Sequence, residues 1–236
     1  TSVMASGYNP YVACWSPYHG AMYAVVESIC RAVALGANPD NMRLTLQEYF
    51  PKLHNEHNWG QPFSALLGAY KALTALEVPA IGGKDSMSGT FMQLGVPPTL
   101  VSFAVNVMDG RQTISSEFKQ AGNKVVFVAN PCDEHEVFDF PVLRKNLRAI
   151  HTAIAKGKVV SATVVKEGGI AAGISVMCLG NYFGFSFVKP FLHEESLFTL
   201  QPSGFLLEMA PQVDPEKVFA DLDFLTLGTV EAEPVI

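Results

Sequence analysis

The 236 residues fit one large domain or two modest ones, at roughly 100–200 residues per domain. Hydrophobic residues make up 49%, enough to bury a core, but charged residues are only 16% against a typical ~25%, so part of the surface is expected to lie under another subunit or further chain. A net charge of −6 without a Lys/Arg run argues against nucleic-acid binding, and no apolar stretch, Thr99–Met108 included, approaches the ~20 residues of a membrane helix.

In chain order, Pro17 and Gly20 punctuate the entry to a helix over Ala21–Leu35 that is apolar almost all round and so reads as buried. Gly36 supplies its left-handed end and Pro39 blocks continuation. Met42–Gly60 reads as irregular, and a second helix is expected from Pro62 to about Glu77, with Phe63, Leu66, Leu67, Tyr70, Leu73 and Leu76 at helical spacing. Val78–Ile81 reads as a short strand opening into a Gly82–Gly89 loop, and Thr99–Met108 as a strong strand turned at Asp109-Gly110. A boundary is placed near residue 112, giving domains 1–112 and 113–236.

Beyond it, strands are expected at Lys124–Ala129, Val159–Val165, Phe183–Val188, Gly204–Met209 and Leu225–Val230. Helices are expected at Pro141–Lys156, Gly168–Leu179 and Asp214–Asp221. Alternating strands and helices in both halves predict layered α/β or α+β architecture rather than a bundle or sandwich. The four cysteines form no CxxC pair and fit reduced thiols in the cytoplasm. A chain that opens on Thr1 and closes on Glu233-Pro-Val-Ile236 reads as a piece of something longer, a trimmed tag being the alternative.

The densest chemistry lies in Ile81-Gly-Gly-Lys-Asp-Ser-Met-Ser-Gly-Thr90. Gly82 and Gly83 let backbone approach a phosphate, Lys84, Ser86 and Ser88 can donate to its oxygens, and Asp85 can hold magnesium or orient Lys84. A Gly-rich turn between strands explains the same residues, and the pattern is not a Walker A loop, because Asp85 follows the lysine. Glu27, alone in an apolar helix, needs a cation: a metal, or more simply Arg31 one turn on. His54/His57 and Cys132/His135 lack a second ligand pair and read as solvated loops. Glu167-Gly-Gly169 reads as an anion cradle or as a cap that permits tight packing.

These segments together resemble phosphoribosylformylglycinamidine synthase, in the second synthetase half of its long single-chain form. The likeness is carried by Ser16-Pro-Tyr-His-Gly-Ala21 leading into the Glu27 helix and Leu35-Gly-Ala-Asn-Pro39. Asn58-Trp59 follows, then the helix to Glu77 and Val78-Pro-Ala-Ile-Gly-Gly-Lys-Asp-Ser-Met-Ser88; Pro97–Ala104, the Lys156–Gly169 region and Leu227–Glu231 continue it. The resemblance implies an aminoimidazole ribonucleotide synthetase-like fold, here a partial N-terminal sheet domain without its first strands plus a C-terminal α/β two-layer domain. It also implies ATP-dependent amidation of formylglycinamide ribonucleotide with ammonia from glutamine, with ATP and magnesium as cofactors. Expected partners are the remainder of the synthetase chain with its glutaminase domain, the nucleotide and the ribonucleotide, and a second copy paired through the N-terminal sheet.

Carried over by residue, Glu27 falls on a magnesium-ligand position, but Arg31 stands where the family often has Asn. An Asp-x-Ser-Asp-Gly-Gly string reads here Val164-Val-Lys-Glu-Gly-Gly169, so Val164 replaces a metal-binding Asp and Lys166 replaces Ser. Added positive charge disfavours a magnesium–nucleotide pocket. The resemblance therefore leaves Gly82–Ser88, with Lys166, Gly168 and Gly169, as the phosphate-binding residues, the metal site as eroded, and the catalytic residues unassigned. Two alternatives stay open: a structural half with a degenerate nucleotide site, and another ATP-using relative such as a selenide or thiamine-phosphate kinase or a hydrogenase-maturation protein.

Overall fold

A computed structural model describes residues 1–188 and 194–235, divided into two compact units. The first comprises residues 1–32, 38–107 and 132–140, the second 33–37, 108–131 and 141–236.

The first unit holds β1 (Ser2–Gly7), α1 (Pro10–Trp15), α2 (Pro17–Ala34), β2 (Arg43–Tyr49) and α3 (Glu56–Leu76). It continues with β3 (Ala80–Ser86), a short hairpin of β4 (Thr90–Phe91) and β5 (Leu94–Gly95), and β6 (Thr99–Val107). Four strands form one sheet in the order β1-β6-β2-β3. Only β2 and β3 run parallel, because α3 carries the chain back between them.

From Gly20 to Ala34, α2 is buried except at a stripe of Tyr23, Glu27 and Arg31, one face at i, i+4 spacing. It lies close enough to the sheet for Ser28 and Ser102 to share a buried 2.9 Å hydroxyl hydrogen bond. A Cβ on Gly7 would stand 2.1 Å from the Ala24 carbonyl oxygen, so only glycine admits that approach.

Two expectations change here, and a third feature is new. Met42–Gly60 is not irregular: β2 occupies its first half and takes hydrogen bonds from strands on both sides, a non-local support invisible in its mixed polarity. α3 begins six residues before Pro62, because the Asn55 side chain caps it by accepting from Asn58 N at 2.9 Å. Pro62 therefore sits inside the helix and forgoes one main-chain bond. The apolar periodicity of α3 is real, but most of its large residues point outward and only Leu76 is buried. The small ones, Ala65, Gly68, Ala69 and Ala72, are buried, while Phe63, Leu66, Leu67 and Tyr70 are exposed.

The second unit holds β7 (Lys124–Val128), α4 (Phe140–Ala155), β8 (Val159–Val164), α5 (Gly169–Leu179) and β9 (Gly184–Phe187), then β10 (Phe205–Met209), α6 (Pro215–Val218) and β11 (Phe224–Glu231). Its sheet runs β8-β10-β7-β11-β9 with antiparallel neighbours throughout, so the class is α+β. Leu143, Leu147, Ile150 and Ile154 are the buried face of α4, and Gly157 closes it at φ +63°. The core gathers Phe118, Phe127, Ile174, Met177, Leu206 and Leu227. Buried within β10, the Glu208 carboxylate accepts from Lys119 N (2.9 Å), Gln120 N (3.1 Å) and Asn123 Nδ2 (2.8 Å), tying the 119–123 segment to the sheet.

Candidate functional site

The segment Gly82–Ser86 is not a loop. It is the body of β3, at the edge of the first unit's sheet, and Ile81–Asp85 are all exposed there. Parallel pairing with β2 supplies the regularity that a Gly-Gly-Lys-Asp string would not generate alone. Its pleat then separates the functional groups. Lys84 lies beside Gln47, and Ser86 beside Tyr49, on one face of the sheet; Asp85 lies beside Glu48 on the other. Lys84 Nζ donates to the Asp85 carbonyl oxygen at 3.0 Å, so Asp85 touches the lysine through its main chain.

The two glycines differ. A Cβ on Gly83 would lie 2.3 Å from the Leu46 carbonyl oxygen, so strand packing requires glycine there. At Gly82 a Cβ would meet nothing within 4 Å, and φ is not in the left-handed region. After Ser86 the chain is pinned around buried Phe50 by Phe50 N→Ser86 O and Gly89 N→Phe50 O, both 2.9 Å, which holds the exposed Ser88 on a fixed turn. The arrangement is an open, pre-shaped edge with one exposed ammonium, two hydroxyls and a glycine that the packing does not explain. Such an edge suits an anion approaching the backbone.

Burial raises the Glu48 pKa, and the facing Asp85 raises it further. Asp85→Asn is therefore expected to lower the Glu48 pKa, read by carboxyl NMR titration; an unchanged titration would refute the pairing across the strands.

Glu27 meets protein, not a metal-ligand set. Its Oε2 accepts from Tyr8 N at 3.1 Å, and its Oε1 lies 3.8 Å from Arg31 Nη1, which itself donates to Ser6 O at 2.8 Å. These contacts tie α2 to the end of β1, and a guanidinium on the same carboxylate repels a divalent ion. Among the described residues no group of three His, Cys, Asp or Glu can hold a metal. The residues do not fit the magnesium implied by the sequence resemblance. Val164, in place of the Asp, is a buried core residue at the end of β8 in the second unit.

Lys166, Gly168 and Gly169 also lie in the second unit, at the start of α5. Both glycines have positive φ, +85° and +68°, and a Cβ on Gly169 would stand 2.4 Å from Leu197 O, so tight packing accounts for Gly169. Cys132 sits 3.8 Å from the Tyr23 hydroxyl, and burial pushes its thiol up to about 11, away from the thiolate a metal needs. His19 pins that segment: its Nε2 donates to His135 O at 2.9 Å while Nδ1 shares 2.8 Å with Ser16 Oγ. His57 lies on α3 rather than in a loop. Sequence reading missed Tyr8 and Glu48, whose partners are 19 and 37 residues away and leave no local signal.

No family model matches the chain. Curated relatives named phosphoribosylformylglycinamidine synthase subunit PurL do. That of Methanosarcina mazei is 24% identical over 96% of this chain and 34% of its own length; that of Pelagibacter ubique is 25% identical over 100% and 36%. The chain thus spans about a third of those relatives. Among solved structures, T. maritima PurL complexed with AMPPCP superposes with a TM-score of 0.80 at 18% identity, covering 100% of this chain and 42% of that one. The same protein complexed with FGAR gives 0.81 at 16%, with 100% and 43% covered. Thiamine monophosphate kinase of Aquifex aeolicus gives 0.62 at 13%, with 100% and 85% covered. The chain carries the aminoimidazole ribonucleotide synthetase-like fold and is similar, over nearly its whole length, to phosphoribosylformylglycinamidine synthase.

Proposed function

We propose that this chain serves the ATP-dependent amidation of formylglycinamide ribonucleotide in purine biosynthesis, supplying one anion-binding part of a larger synthetase. The β3 edge is the phosphate contact: Lys84 supplies the charge, Ser86 and Ser88 supply hydroxyl donors, and Gly82 admits the ligand to the backbone. The carrying observation is Gly82 itself, exposed, unstrained and facing open space. Similarity to PurL proteins solved with AMPPCP, ATP and ADP supports a nucleotide as the ligand. Lys166, Gly168 and Gly169 are assigned a separate phosphate contact within the second unit.

Catalysis in this reaction class rests on positioning and on neutralising phosphate charge. The chain contributes Lys84 to that neutralisation, and no step is assigned to magnesium at Glu27. Turnover is assigned to the complete assembly, with the glutaminase and the remaining synthetase supplying ammonia and the other substrate contacts. In this reading the chain alone, given ATP and ammonia, yields no amidine.

Titration calorimetry tests the phosphate contact. Lys84→Ala is expected to weaken ATP binding about tenfold or more, the worth of a charge-assisted hydrogen bond of ~1.5–3 kcal/mol. Gly82→Ala is expected to weaken it comparably while leaving stability within ~1 kcal/mol, because its methyl meets no protein atom. Wild-type affinity in both variants would sink the proposal, as would an absence of ATP binding by the unaltered chain.

An eroded metal site is supported by the engagement of Glu27 by Tyr8 N and Arg31. It predicts ATP affinity unchanged by EDTA, whereas a working magnesium site predicts a clear loss.

A further inference from the structure

We propose that the outward face of α3 pairs with the same face of a second copy of this chain, the two helices crossing antiparallel about a two-fold axis. Trp59, Phe63, Leu66, Leu67 and Tyr70 recur at i, i+4, i+7, i+8 and i+11, which sets them on one stripe of the helix. They are 44–66% exposed, and no charged residue lies between Asn58 and Tyr70.

Fully exposed aromatic side chains present ~150–250 Å² each, so these fractions leave roughly 500 Å² of apolar surface on the stripe. That is near the top of the ~300–600 Å² range for the largest patch on a typical monomer, where such patches are often functional. Pairing the stripe with itself buries about 1,000 Å² in total, the size at which specific interfaces begin.

Charge selects both the occupant and the order. Glu56 precedes the stripe and Lys71 follows it, both exposed. A parallel pair would set Glu56 against Glu56 and Lys71 against Lys71. An antiparallel pair centred near residue 65 brings Glu56 of one copy within one helical turn of the partner's Lys71, and the two-fold axis makes that contact twice. An apolar centre with opposite charges at its two ends is self-complementary in this order alone.

Sedimentation equilibrium across the micromolar range is expected to give twice the single-chain mass of 25.6 kDa. Leu66→Glu combined with Tyr70→Glu places like charges at the centre and should weaken association at least about tenfold. Glu56→Lys and Lys71→Glu should each weaken it a few-fold, and the double exchange should restore it. That charge exchange keeps the test valid if the doubly acidic variant loses its circular dichroism. A monomer throughout the range overturns the proposal. So does a dimer indifferent to the stripe, as pairing through the open sheet face would give; failure of the double exchange to restore association overturns it as well.

Discussion

Replacing Gly68 by alanine is expected to destabilise the first unit by about 3 kcal/mol or more, a fall of roughly 6–12 °C in Tm. Its new Cβ would stand 1.9 Å from the Tyr18 carbonyl oxygen and 2.7 Å from that carbonyl carbon. Those are backbone atoms at the first turn of α2, so no rotamer change relieves the clash. Gly60, in the same helix, is the internal control. A Cβ there meets nothing within 4 Å, and Gly60→Ala should be neutral or stabilising by up to ~1 kcal/mol through helix propensity. Tryptophan fluorescence reads this unit specifically, because Trp15 and Trp59 both lie in it. Equal transitions for Gly68→Ala and Gly60→Ala would show that α3 does not approach α2 so closely.

Glu208→Ala should cost about as much in the second unit, roughly 3 kcal/mol, because it strips the acceptor from Lys119 N, Gln120 N and Asn123 Nδ2 together. The loss is reduced, not cancelled, by no longer burying a carboxylate. Burial raises the Glu208 pKa, and the three donors only partly oppose it. The folded chain therefore holds this proton more tightly than the unfolded one. Glu208 stabilises most below the ordinary carboxylate value of 4.5, and part of that contribution is lost as pH rises through the raised value. Urea unfolding followed by far-ultraviolet circular dichroism should show the gap between wild type and Glu208→Ala narrowing over that interval. A gap that widens with pH would mean that the donors, not burial, dominate.

The second unit was the more legible half. β7, α4, β8, α5 and β10 follow β-branched runs or i, i+4 stripes whose polar boundaries are local, and each lies within a residue or so of its expectation. Error concentrated in the first unit, where local signals conflict with tertiary support. β1 and β2 carry mixed polarity and become strands because β6 lies between them and pairs with both. Pro62 looks like a helix start until Asn55 is seen to cap one.

The candidate site divides the same way. Residue types alone single out Gly82, Lys84, Ser86 and Ser88 as the proposed anion contact and Glu27 with Arg31 as a charged pair, since both inferences rest on chemistry carried by neighbours in the chain. That Lys84 and Asp85 occupy opposite sheet faces, that Gly83 serves packing while Gly82 does not, and that Tyr8 reaches Glu27 are facts of strand pairing and helix docking. Such contacts join residues far apart in the chain. Periodicity tells that α3 has an apolar stripe; which side faces inward is decided by the backbone of α2, which approaches so closely that only the small-residue face fits.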